Sequence, residues 1–135
     1  MTISFNACSE KQTDYDKINS FLEKHQFEAS RYKYIFVIDD DGCLKCNRYF
    51  SEYSSQLVHD SLVFFILSTD GSYFPLDEIE QCNNIIWDSD QAFKSMLSLK
   101  SSTFIKIDNN RIDTTIEINA YNLQEKIEYI GKIIN

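Results

Sequence analysis

The chain is 135 residues long, a length that suits one domain, and its 43% hydrophobic and 14% aromatic content supplies a core that needs no disulfide to hold it together. Its 21 Asp and Glu against 13 Lys and Arg give a formal charge of −8, a field that opposes nucleic acid and anionic lipid surfaces. No apolar run reaches the ~18 residues that a membrane-spanning helix needs.

Residues 1–12 read as a flexible lead-in to a single domain over 13–135. Within the lead-in, Phe5-Asn6-Ala7-Cys8-Ser9 precedes the polar stretch Glu10-Lys11-Gln12-Thr13-Asp14. This pattern resembles the end of a bacterial lipoprotein signal, in which a cysteine after a small residue carries lipid. The resemblance implies a membrane tether through Cys8, although no basic n-region precedes it. The alternative is an ordinary residue of a flexible terminus.

From residue 15 to 27, Ile18, Phe21, Leu22 and His25 recur at helical spacing, which predicts a first helix. Residues 33–39 then give a short apolar run, Tyr34-Ile35-Phe36-Val37-Ile38, suited to a central strand covered on both faces. Asp39-Asp40-Asp41-Gly42 ends it as a solvated turn. A calcium loop is disfavoured, because the spaced oxygen ligands and closing glutamate of an EF-hand are absent.

The period changes after Cys43. Cys46, Phe50, Tyr53 and Leu57 fall at i, i+4, i+7 and i+11, an apolar stripe along one helix face. Residues 62–67 form a second buried run, closed by Asp70-Gly71. A short helix is predicted over 76–82, after Pro75. A short strand follows over 84–87, then a helix over 91–99 with Phe93, Met96 and Leu97 inward, and Trp87 is assigned to the core. Residues 103–107 and 112–118 read as two strands joined by Asp108-Asn109-Asn110, a connection that tolerates the positive φ of a hairpin turn. Residues 121–134 close the chain as a helix with Leu123, Ile127, Ile130 and Ile134 on one face. The order predicts an α/β fold: a mixed sheet sandwiched by helices, ending in a β-hairpin and a C-terminal helix.

Cys43-Leu44-Lys45-Cys46 therefore opens a helix directly after a buried strand. A cysteine at a helix start faces unsatisfied backbone N–H groups and the positive end of the helix dipole, and both favour the thiolate. Cys46 lies one turn later on the same side, close enough to close a small ring. Lys45 adds a positive charge that favours the thiolate, whereas Asp39, Asp40 and Asp41 oppose it. These opposed charges predict a reductant-like or intermediate poise.

This order and placement resemble the thioredoxin-like superfamily over residues 15–135, nearest to the bacterial envelope thiol-reductase and redoxin group. The landmarks are the dithiol after the strand, the strand over 62–67, and Ser101-Ser102-Thr103-Phe104-Ile105-Lys106-Ile107-Asp108 before the hairpin. The resemblance implies thiol-disulfide exchange, with Cys43 as nucleophile and Cys46 as resolving thiol. It also implies a disulfide-containing protein or small thiol substrate, a thiol electron donor and no cofactor, while the acidic charge speaks against a nucleic-acid partner. The location it implies is a bacterial periplasm or cell envelope, with the cytoplasm as alternative. Ser102 and Thr103 would line the loop that faces the substrate.

The family pattern breaks at three points. Ser102 stands where a cis proline is usual, and a cis bond before a non-proline residue costs ~2.5–4 kcal/mol, so a trans Ser101–Ser102 bond is expected. Gly42 replaces an aromatic residue before the first cysteine. No acid sits in the middle of the preceding strand.

The competing readings are a thioredoxin-like binding or redox-responsive module with an idle dithiol, a structural disulfide, and a peroxidase. The peroxidase lacks a Thr or Pro just before Cys43. A closed zinc site wants four ligands, and Cys8, Cys82, His25 and His59 are not paired at ligand spacing. Cys82 reads as a small buried hydrophobe, and His25 and His59 as helix-end residues.

Overall fold

A computed structural model describes residues 12–68 and 82–135. The helix expected over 76–82 falls, apart from Cys82, outside these residues, as does Cys8. Among the described residues the order is α1 (Asp14–Lys24), a 3₁₀ turn (Ala29–Arg31), β1 (Tyr34–Asp39), α2 (Leu44–Ser55), β2 (Val63–Ser68) and β3 (Ile85–Trp87). It continues with α3 (Ala92–Met96), β4 (Thr103–Asp108), β5 (Arg111–Glu117) and α4 (Leu123–Ile134).

The strands form one sheet in the order β3-β2-β1-β4-β5. β1, β2 and β3 run parallel, with Tyr34 opposite Val63 and Phe65 opposite Ile85. β4 runs antiparallel to β1, pairing Phe36 with Phe104, and β5 returns antiparallel beside β4. The return is made at Asn109 and Asn110, whose φ angles of 50° and 61° are the left-handed geometry that Asn tolerates in a tight hairpin.

Side chains alternate across a strand, so the continuous apolar runs of β1 and β2 supply two cores. On one face Tyr34, Phe36, Ile38, Val63, Phe65 and Leu67 pack with Phe50 of α2 and Ile127 and Ile130 of α4. On the other, Ile35, Val37, Phe64 and Ile66 pack with Ile18, Phe21 and Leu22 of α1 and with Phe93 of α3. Phe36 is fully buried at the centre, with ring centroids 5.2 Å from Phe104, 5.4 Å from Phe50 and 5.6 Å from Phe65. α1 begins where capping dictates: Thr13 and Asp16 form a reciprocal capping box there. His25 sits at the end of that helix, its ring Nδ1 2.9 Å from the Phe21 carbonyl.

Two expectations need correction. Trp87 is 46% exposed rather than core, because it ends a three-residue strand at the sheet edge. Asp39 does not belong to a solvated turn: it is the last residue of β1, opposite Ser68, and is fully buried. No helix among the described residues is long and apolar enough to cross a membrane.

Candidate functional site

The parallel strands end where β1 delivers the chain into α2, and Cys43 is the residue that caps that helix. Gly42, at φ +80°, makes the turn possible, since this left-handed conformation strains any residue with a Cβ. Cys43 is extended at the cap, and its Sγ accepts a hydrogen bond from the Cys46 N–H at 3.2 Å. The sulfur thus occupies the place that a Ser or Asp oxygen takes at an ordinary N-cap. Cys43 and Cys46 are joined as a disulfide, with Cα atoms 5.2 Å apart. Cys43 is half-buried and Cys46 is buried, so Cys43 is the more accessible residue of the pair.

A buried polar network holds this turn. Ser102 Oγ accepts from the Asp39 N–H (2.9 Å) and donates to Asn47 Oδ1 (2.8 Å). The Asn47 amide nitrogen donates to the Asp41 carbonyl at 2.8 Å, and its backbone N–H donates to the Cys43 carbonyl. Asp39 Oδ1 accepts from the N–H groups of Asp40 (2.9 Å) and Asp41 (3.3 Å). Its other oxygen, Oδ2, meets the Lys94 ammonium at 2.5 Å, and the same ammonium lies 3.4 Å from Asp41 Oδ2. A buried carboxylate loses water's solvation and survives only where charge and hydrogen bonds replace it, and here both do. Oxygens of Asp39, Asp40 and Asp41 lie within 4.8 Å of one another, and Lys94 already brings a cation to two of the three.

The residues expected from the sequence meet here in unequal ways. Cys43, Cys46 and Asp41 converge, and Lys45 sits exposed on the first turn of α2. The Ser102 and Thr103 side chains are fully buried. The Ser102 hydroxyl is committed to Asp39 and Asn47, and the Thr103 hydroxyl donates to the Ser101 carbonyl at 2.9 Å. No cis peptide occurs among the described residues, so the Ser101–Ser102 bond is trans. Asn47 and Lys94 are the participants that sequence reading missed. Asn47 carried a faint signal, as the first of Asn47, Ser51 and Ser54, small polar residues at helical spacing beside the apolar stripe, all buried. Lys94 carried none.

Cys82 and His59 lie elsewhere. They help line a cavity of about 510 Å³, with Arg31, Asp60 and Asn84, at the end of the sheet where β2 and β3 begin. This is the end opposite the dithiol. No protein-family model, curated protein or solved structure matches the chain.

Proposed function

We propose that the chain is a thiol-disulfide oxidoreductase of thioredoxin-like type. The observation that carries this reading is the placement of Cys43 at the α2 N-cap, its sulfur receiving the Cys46 N–H, on a thioredoxin-like mixed sheet. That position stabilises a sulfur anion in the reduced protein through a hydrogen bond and the helix dipole.

In the reduced protein the Cys43 thiolate attacks one sulfur of a substrate disulfide. That bond breaks, its other sulfur leaves as a thiolate, and a mixed disulfide forms on Cys43. Cys46 then gives up its proton and attacks the Cys43 sulfur. The second substrate sulfur departs, and the Cys43–Cys46 disulfide forms, having passed two electrons to the substrate. A thiol donor returns the pair to the dithiol by the reverse exchange. Leu44, 58% exposed inside the motif, and Trp87, 46% exposed at the same end of the sheet, offer apolar contact to a polypeptide bearing the disulfide. Asp39, Asp40 and Asp41 outnumber the one lysine that bridges two of them, and this residual negative charge supports a reductant-like or intermediate poise. A bacterial envelope setting with a Cys8 tether belongs to the same proposal.

A binding or redox-responsive module is the second reading. Ser102 favours it, because its hydroxyl is turned inward where the family presents a proline to substrate. Exchange with a disulfide-bonded protein and with glutathione disulfide separates the two. The oxidoreductase reading expects turnover in the parent, none in Cys43→Ser, and a trapped mixed disulfide on Cys43 in Cys46→Ser. A parent that exchanges with neither substrate supports the module.

A further inference from the structure

We propose that Lys94 is a positioning residue for the dithiol: by bridging Asp39 and Asp41 it holds the turn before Cys43 and cancels charge that would oppose the thiolate. The inference rests on the redox reading above.

The geometry makes the lysine part of the site although it lies 51 residues beyond Cys43 in sequence. Its side chain is 12% exposed and that of Asp39 is fully buried, so water screens the pair little. Asp41 is separated from Cys43 by Gly42 alone, which limits their backbone separation to about 7 Å. The Asn47 bond to the Asp41 carbonyl ties the same turn to the first turn of α2. Any uncompensated charge on these carboxylates is therefore felt at the Cys43 sulfur.

Lys94 is also firmly carried. Asp88 accepts the N–H groups of Ala92 (3.1 Å) and Phe93 (2.8 Å) at the start of α3. Phe93 is fully buried, edge-on to Phe21 with centroids 5.1 Å apart. Gln91 adds a contact to Asp41 Oδ2 at 3.5 Å. Burial by itself lowers the Lys94 ammonium, but its bonds and charge interaction with Asp39, then with Asp41, outweigh this and hold it above its ordinary range. Lys94 is thus a fixed positive charge whenever the thiol titrates.

The other charges at this end of the sheet are Asp40, Lys45 of α2, and Asp88, whose carboxylate is committed to the N–H groups at the start of α3. Ser102 and Thr103 of the β4 side bring none. Further along that side the Glu117 carboxylate accepts the Lys100 backbone N–H, and the Glu117 carbonyl accepts the Lys126 ammonium. Lys94 is the cation that meets both Asp39 and Asp41, so replacing it with a neutral side chain removes one positive charge from beside the turn that carries the sulfur.

The test is the pH profile of Cys43 alkylation by iodoacetamide in the dithiothreitol-reduced protein, read by mass. Lys94→Gln is expected to raise the Cys43 pKa by about one unit, making alkylation about tenfold slower below the pKa. Lys94→Arg restores the parent profile, which loss of packing alone would not. If Lys94→Gln fails to fold, Asp39→Asn is compared with Asp39→Asn/Lys94→Gln, in which no buried carboxylate is left alone, and the double variant is expected to react more slowly. Superimposable profiles in either comparison overturn the inference while leaving the redox reading intact. A parent disulfide that excess dithiothreitol does not open overturns both.

Discussion

The middle of the sheet and its end at the dithiol are built from the same strand by opposite means. Over Tyr34 to Ile38, β1 is held by close contact between apolar side chains on both faces. One residue later, at Asp39, burial continues but the partners become hydrogen bonds and an ion pair. Dispersion and water exclusion tolerate small adjustments of shape, whereas a buried polar network must be satisfied atom by atom. The apolar middle therefore provides stability, and the polar end provides one defined geometry for the turn carrying Cys43.

That contrast is broken most severely at Phe36. Phe36→Ala is expected to cost about 3–5 kcal/mol in urea unfolding, through lost burial and the cavity left among Phe50, Phe65 and Phe104. Where the variant still folds, the potential of the dithiol stays at the parent value. Ser102→Ala reverses the pattern. It leaves the Asp39 N–H and Asn47 Oδ1 without their partner and costs about 1–3 kcal/mol. In contrast to Phe36→Ala, it shifts the dithiol potential, because the turn loses its anchor.

A pH titration of stability sharpens the same comparison. Lys94 is raised in the folded protein, burial lowering it and its bonds to Asp39 and Asp41 raising it by more. Tyr15, Tyr32 and Tyr53 are raised chiefly by burial of their phenols. In each case the native state holds its proton to higher pH than the unfolded chain. Their contribution is thus complete below about pH 10 and falls as pH climbs through the folded values. Chemical denaturation is expected to show a declining midpoint above about pH 10, and Lys94→Gln to flatten part of that decline. The smallest effect belongs to Lys45→Gln. Lys45 is exposed, so stability should change by less than about 0.5 kcal/mol, and Cys43 alkylation by less than in Lys94→Gln.

How much of this was legible in the chain follows from the same physics. The strands declared themselves because residues 34–38 and 63–67 are apolar without alternation, the mark of a sheet covered on both faces. The hairpin was readable from Asn109 and Asn110, and the sulfur pair from its place between a strand and a stripe of helical period. The charge partner of Asp39 was not readable. An aspartate beside two others and a glycine looks like a wet turn, and Lys94 looks outward-facing between Phe93 and Ser95. Only the packing of α3 against the sheet brings positions 39 and 94 together, and no local pattern encodes a contact across 55 residues. Ser102 was noticed for the proline it replaces, but its inward bond to Asn47 depends on where α2 lies.

The central claim is that Cys43 and Cys46 interconvert between disulfide and dithiol at a potential that biological thiols can reach. A redox titration against glutathione and dithiothreitol buffers, with alkylation and mass read-out, tests it most directly. The account predicts a reversible two-electron transition between roughly −180 and −270 mV, in the reductant-like to intermediate range. A pair that stays oxidised below about −300 mV contradicts it and makes the disulfide a structural one.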